Sequence, residues 1–284
     1  GRAQTMPEEP RFEEDYEPRQ VAAARRALVD VMQVLAAYRD SIVLVGGWVP
    51  DLLLPEAKER HIGSIDVDLA LDAKKLGDGR YAELLKLLLG TRRYRHGESG
   101  FQFVTDVDLG DGEKPIEVLV EFLAPQEIKF KKNRPKLLKE FRVLKADGCG
   151  AAFHGPIQTK IEGRMINGAE NVVIIQVAAL PDFLIMKAFA LSGRDKPKDA
   201  YDICYCLENE SGGMEAMAGN WHSRRGDKDV EKALEILREK FGTENSYGPM
   251  QVSDFHNFPD QTDREIEARR AFELVKKFIS LVEG

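Results

Sequence analysis

The sequence predicts an α/β (α+β) domain, a mixed sheet flanked by helices, followed by a C-terminal helical domain. Three observations carry that prediction. Short apolar runs of strand length alternate with turn-rich stretches between residues 41 and 178. Helical periodicity dominates from Pro181 nearly to the end of the chain. Between them, IVLVGGWVPDLL, Ile42 to Leu53, reads as a strand, a glycine pair and a short helix. The expected divisions are a mobile tail over 1–17, an α/β domain over 18–178 and a helical domain over 179–284.

Residues 1–17 are acidic, contain proline and lack periodicity, the signature of a tail. Val21, Ala24, Leu28, Val31, Met32 and Leu35 recur at helical spacing, so 18–38 is read as a helix with one apolar stripe. A strand over 41–46 and a short helix to Leu54 follow, then a loop over 55–63 and a second strand over 64–71. Tyr81 to Leu89 has helical spacing. Residues 101–109 and 115–123 alternate as a β-hairpin around the Asp111-Gly112 turn, and 157–162 and 171–178 read as further strands.

At 284 residues the chain can bury a large core, and its 43% apolar and 31% charged content fits a globular protein. No apolar run reaches membrane-spanning length, and no secretion signal opens the chain. Three cysteines form no disulfide framework, which points to a cytoplasmic location. The net charge of −7 argues against a general nucleic-acid binder. Residues 129–145 run against that balance, with eight basic residues and one acidic. This stretch is read either as a solvated face or as a contact to an RNA backbone or an acidic partner.

The chemistry is concentrated in GSIDVDLAL, Gly63 to Leu71. Asp66 and Asp68, two apart on a strand, share a face. Paired carboxylates on a rigid element call for a cation, and Mg²⁺ (or Mn²⁺), with its preference for hard oxygen ligands and substrate phosphates, is the expected one. Gly46 and Gly47, leading into Trp48, let backbone approach a phosphate. The unit therefore suggests a nucleoside triphosphate as substrate. Two-metal phosphoryl chemistry also needs a third carboxylate from a neighbouring strand. IEVLVEFLAP offers Glu117 and Glu121 on one face, and Glu121 is preferred. Its role extends to accepting a proton from the acceptor hydroxyl. A second Asp-x-Asp, Asp106 and Asp108, runs into Gly110-Asp111-Gly112 and reads as a solvated hairpin end. His61, in the preceding loop, has no metal-ligand spacing and is read as a histidine without a role.

FLIMKAFALSGRDKPKDAYDICYCL, Phe183 to Leu207, is polar at set points for a helical pair. Lys187 and Arg194, seven apart, share a helix face, and Lys198, Asp199 and Asp202 open the next helix. The plain alternative is capping by Asp199 and surface salt bridges.

These residues resemble the nucleotidyltransferase toxins of abortive-infection and type IV toxin–antitoxin systems, within the polymerase-β-like nucleotidyltransferase superfamily. The superfamily pattern maps to Gly46 and Gly47, to Asp66 and Asp68, and to Glu121 or Glu117. Ser64 matches a serine often found two before the first aspartate, and Lys187, Arg194, Lys198, Asp199 and Asp202 match the lysine helix and the Lys-Asp-x-x-Asp segment. The resemblance implies a nucleotidyltransferase fold. It also implies metal-dependent transfer of a nucleoside monophosphate from an NTP to a hydroxyl. Asp66, Asp68 and Glu121 would hold metal, with Glu117, Lys187 and Asp202 as further catalytic candidates. Gly46, Gly47, Trp48, Ser64, Lys187, Arg194, Lys198 and Asp199 would bind the nucleotide. The implied acceptors are RNA such as tRNA, or protein, and a cognate antitoxin is an implied partner. A small-molecule, antibiotic-type nucleotidyltransferase and a non-catalytic nucleotide-binding module are the competing readings.

Overall fold

In the computed structural model, which describes residues 9–99, 102–125 and 144–284, an eight-stranded mixed sheet organises the first part of the chain. β1 (Ile42–Val45) pairs antiparallel with β2 (Val67–Leu71), and β2 pairs parallel with β5 (Ile116–Pro125). β4 (Gln102–Val107) joins β5 antiparallel, as the expected hairpin, and β3 (Tyr94–His96) lies outside it. On the other flank β8 (Glu170–Val177) runs parallel to β1 and antiparallel to the edge strand β7 (Ile157–Arg164). β6 (Leu144–Ala146) extends the sheet beside the end of β5. The order is β3-β4-β5-β2-β1-β8-β7, with β6 off the path.

Alternation on β5 explains both faces of the sheet. Val118, Val120, Phe122 and Ala124 are buried, while Glu117, Leu119 and Glu121 point the other way. α1 (Pro18–Val34) has Pro18 at its first turn, where the missing N–H costs nothing. It buries Ala24, Leu28 and Val31 in the core and packs on β5, β7 and β8. α2 (Trp48–Leu53) is the short helix expected after the glycine pair. α3 (Ala73–Gly90) starts earlier than its periodicity indicated, because Asp72 Oδ1 accepts the N–H groups of Lys74 and Lys75 as an N-cap.

Six helices follow: α4 (Leu180–Gly193), α5 (Pro197–Asn209), α6 (Gly213–Ser223), α7 (Lys228–Lys240), α8 (Tyr247–His256) and α9 (Gln261–Glu283). Among the described residues no helix is long and apolar enough to cross a membrane.

Two expectations need correction. The second strand begins at Val67, so Asp66 lies just before it. The supposed tail is ordered structure from residue 9 onward. Glu13–Asp15 forms a 3-10 turn and Tyr16 is buried edge-on against Phe255. Glu13 pairs with His256 at 3.0 Å and Arg11 with Asp195 at 3.2 Å. These partners lie over 180 residues away in the sequence, so no local pattern announces them. Residues 1–8 of that segment, and the basic stretch from 129 through 143, lie outside the described residues.

Candidate active site

Strand register decides which carboxylates meet. Asp68 on β2 is paired with Glu121 on β5, so the two side chains stand abreast on one face. Asp66, one step before the strand, is oriented by the Ser64 hydroxyl, which donates to its Oδ1 at 2.6 Å. The indole of Trp48 donates to the Asp66 carbonyl at 2.8 Å. Gln102 Nε2 donates to Glu121 Oε1 at 2.6 Å from the opposite side. Gly46, at φ +75°, occupies the left-handed region, and a Cβ built there would fall 2.3 Å from Asp68 Oδ2. A Cβ on Gly47 would fall 2.7 Å from Lys198 Nζ and 3.0 Å from Ser64 Cβ. The glycine pair thus clears the space between the carboxylates and the lysines.

The helical part supplies the cations. Lys187 on α4 reaches Asp199 Oδ1 at 2.7 Å and Asp202 Oδ2 at 3.0 Å. Arg194 grips Asp199 through two bonds of 2.7 and 2.8 Å. Lys198 lies one helical turn before Asp202 on α5 and contacts both its oxygens, at 3.1 and 3.2 Å. His61 closes the cluster, with Nε2 2.6 Å from Asp202 Oδ1. Asp199 and Asp202 are fully buried. One pocket is lined by Gly46, Gly47, Ser64, Asp66, Asp68 and Glu121 on one side and Lys187, Arg194, Lys196 and Lys198 on the other, together with Glu9.

The electrostatics follow from that burial. Asp68 is pushed well above the usual carboxylate range by burial, then by the negative charges of Asp66 and Glu121. Burial also raises Glu121. For Asp66 burial acts in the same direction, but Lys196, the Ser64 hydroxyl and Lys198 outweigh it and hold its carboxyl below the usual range. Burial opposes the charge on Asp199 too, yet Lys187 and Arg194 bring it down to about 2. Burial disfavours the Lys187 ammonium, and Asp199 with Asp202 reverses that and raises it. Lys198 lacks a second carboxylate, so burial wins and its ammonium is lowered.

Three adjacent carboxylates that cannot comfortably all ionise are a hard-oxygen donor set in need of a cation. Among the described residues no three His, Cys, Asp or Glu side chains form a closed metal cage. Ser64 and Gln102 each occupy one carboxylate oxygen, of Asp66 and of Glu121. An incomplete set of this kind suits Mg²⁺, which takes one or two carboxylates and completes its shell with phosphate oxygens and water.

The structure brings together Gly46, Gly47, Ser64, Asp66, Asp68, Glu121, Lys187, Arg194 and Lys198, all expected from the sequence. Four expected site residues land elsewhere. Glu117 shares the parity of Glu121, but four residues along a strand is about 13 Å. There it is exposed and ion-paired with Arg95 at 2.8 Å. Trp48 is buried and is not among the residues lining this pocket; its indole anchors the Asp66 backbone. Asp199 and Asp202 lie beneath the pocket wall, where the cations they hold cover them. Asp106 pairs with Arg95, and Asp108 accepts from Gly110 N, as a hairpin end should.

Three contributors went unread in the sequence. Lys196 lines the pocket from the position capping α5, a lysine that nothing but tertiary structure distinguishes from its neighbours. Gln102 shares a register with Glu121 that only strand pairing reveals. His61, taken for a loop histidine without a role, is buried against Asp202.

Separate Glu→Gln substitutions test the register. Glu121→Gln is expected to lower nucleotidyl transfer at least about a hundredfold, ~2.7 kcal/mol in the barrier. Glu117→Gln should stay within about twofold, since it removes one exposed ion pair. Steady-state rates on purified protein decide it, and the reverse ranking would reject the assignment.

Comparison with known proteins gives the family. A family model described as the nucleotidyl transferase AbiEii toxin of type IV toxin–antitoxin systems matches residues 32–277. No curated protein matches the chain. The crystal structure of JHP933 from Helicobacter pylori aligns at a TM-score of 0.43 and 12% identity over 94% of each chain, a likeness too distant to inform this one. With most of its length matched, the glycine pair, Asp-x-Asp and lysine segments included, the chain belongs to the AbiEii family of nucleotidyltransferase toxins of type IV toxin–antitoxin systems.

Proposed function

We propose that this enzyme transfers a nucleoside monophosphate from an NTP to an acceptor hydroxyl with the help of Mg²⁺ or Mn²⁺. The observation that carries this reading is the single pocket in which Asp66, Asp68 and Glu121 face Lys187, Arg194, Lys196 and Lys198. Asp66, Asp68 and Glu121 would hold the metal, which when bound offsets the charge of the triphosphate and of the leaving pyrophosphate. The lysines and Arg194 bind the phosphates, and the Gly46-Gly47 turn lets them come close to backbone. Lys187 and Lys198 stay fixed because buried carboxylates hold them, so the positive field is in place before substrate arrives. Glu121, on the neighbouring strand, would also accept the proton of the attacking hydroxyl.

The acceptor we favour is an RNA such as tRNA, or a protein, in keeping with a toxin whose activity a cognate antitoxin restrains in the cytoplasm. Parallel incubations with each labelled NTP and Mg²⁺, offered total RNA, a protein extract or an aminoglycoside-type compound as acceptor, test this directly. Label on RNA or protein together with released pyrophosphate is the expected result. Label on an aminoglycoside-type hydroxyl compound alone would favour the small-molecule reading. NTP binding without any transfer would favour a non-catalytic module.

The glycine turn gives a second test. Gly47→Val is expected to weaken NTP binding by about tenfold or more, ~1.4 kcal/mol. Its side chain would meet the Lys198 ammonium and Ser64. Calorimetric affinity should fall more than thermal stability does, and unchanged affinity would argue against phosphate binding at this turn.

A further inference from the structure

We infer that His61 is a positioning residue for the phosphate-binding lysines: through Asp202 it sets where Lys187 and Lys198 hold their ammonium groups. The inference rests on reading the pocket as a triphosphate site. His61 and Asp202 have fully buried side chains and are separated by 141 residues in the sequence. The imidazole tautomer is fixed by its other nitrogen. His61 Nδ1 accepts the Gly63 N–H at 3.0 Å, so Nε2 carries the hydrogen and donates it to Asp202 Oδ1 at 2.6 Å. The ring cannot turn away, since Tyr201 stacks on it at 5.6 Å and Tyr205 meets it edge-on at 4.9 Å. Tyr205 also donates to the Glu59 carbonyl at 2.6 Å, tying the loop that carries His61 to α5.

The donors divide evenly over the Asp202 carboxylate. Oδ1 receives His61 and Lys198, and Oδ2 receives Lys187 and Lys198. Without the imidazole N–H, Oδ1 keeps only the longer 3.2 Å contact from Lys198, and the carboxylate is free to rotate toward the lysines. Lys187 has a second anchor in Asp199, so the disturbance falls on Lys198, whose ammonium lies under the Gly47 turn. The same loop runs on through Gly63 to Ser64 and Asp66. His61 therefore couples the carboxylate half of the pocket to its cationic half. An apolar side chain of the same shape would fill the space but not hold the carboxylate.

The test is calorimetry of inorganic tripolyphosphate with the full chain, without metal. His61→Leu is expected to weaken binding about tenfold, the loss of one hydrogen bond to a charged group. His61→Gln, whose amide reaches the same oxygen, should stay within about threefold of wild type by the same reasoning. In a Lys198→Ala background His61→Leu should change affinity less than about twofold, because the two act through one contact. Wild-type affinity in His61→Leu, or an undiminished tenfold loss on top of Lys198→Ala, would overturn the inference and leave the triphosphate site standing. If His61→Leu shows no cooperative melting, His61→Asn against His61→Gln decides: the shorter amide should lose affinity, and equal affinity overturns the inference. A wild-type chain that binds neither tripolyphosphate nor NTP would remove the triphosphate reading and this inference with it.

Discussion

Asp202→Asn is expected to destabilise the fold by about 3–5 kcal/mol, the cost of leaving buried charge without its partner. Asp202 is fully buried, and Lys187 and Lys198 are 6% and 3% exposed. The amide would leave Lys198 with no carboxylate, while Lys187 keeps Asp199. At this chain size the loss corresponds to a fall in melting temperature of roughly 10 °C. Urea unfolding of the two proteins at pH 7 measures it, and a difference under about 1 kcal/mol would mean that the network is solvated or dispensable. The pH dependence has a definite sign. Burial opposes the charge on Asp202, but Lys198, Lys187 and His61 outweigh it and depress its carboxyl below the ordinary 3.8. A depressed carboxyl contributes stability above its unfolded value and loses it as pH falls. The wild-type advantage over the variant should therefore be complete above about pH 4 and shrink in stronger acid.

Such a network is the part of this protein that its sequence conceals. Asp66, Asp68 and the Gly46-Gly47 turn were legible because strand parity and glycine conformation are local properties. The seven-residue spacing of Lys187 and Arg194 was legible for the same reason. Glu117 and Glu121 were not separable by parity, because both point to one face; the register of β2 against β5 separates them. His61 and Asp202 meet only through the fold, and Lys196 stands out only by what it faces. Trp48 misled in the opposite direction. An aromatic beside a phosphate turn suggests ligand contact, yet it packs inward and spends its one donor on the Asp66 carbonyl. Asp199 was read as a nucleotide contact and Asp202 as catalytic, but burial among the cations makes them supports rather than contacts. The helical region as a whole was plain from periodicity, while the anchoring of residues 9–17 depended on partners near the far end of the chain.

Asp68→Asn should abolish nucleotidyl transfer while leaving the fold as stable as wild type or more so. The two effects share one cause. Asp68 is half-buried beside Asp66 and Glu121, and its charge is so disfavoured there that its carboxyl is pushed well above the usual range. An amide of the same shape removes that repulsion, so melting temperature should hold or rise. The substrate complex makes the opposite demand. A cation among Asp66, Asp68 and Glu121 needs the ionised carboxylate, and asparagine offers a neutral oxygen in its place. Transfer is expected to fall at least about a thousandfold, ~4 kcal/mol in the barrier. Free NTP should still bind through Lys187, Arg194, Lys196 and Lys198, because none of them hydrogen-bonds to Asp68. The informative experiment measures three quantities on one preparation: transfer rate, NTP affinity without metal, and melting temperature. A slow but stable variant that binds metal-free NTP normally assigns Asp68 to the metal-dependent step. A variant that retains wild-type transfer would place the reaction elsewhere, whatever its stability.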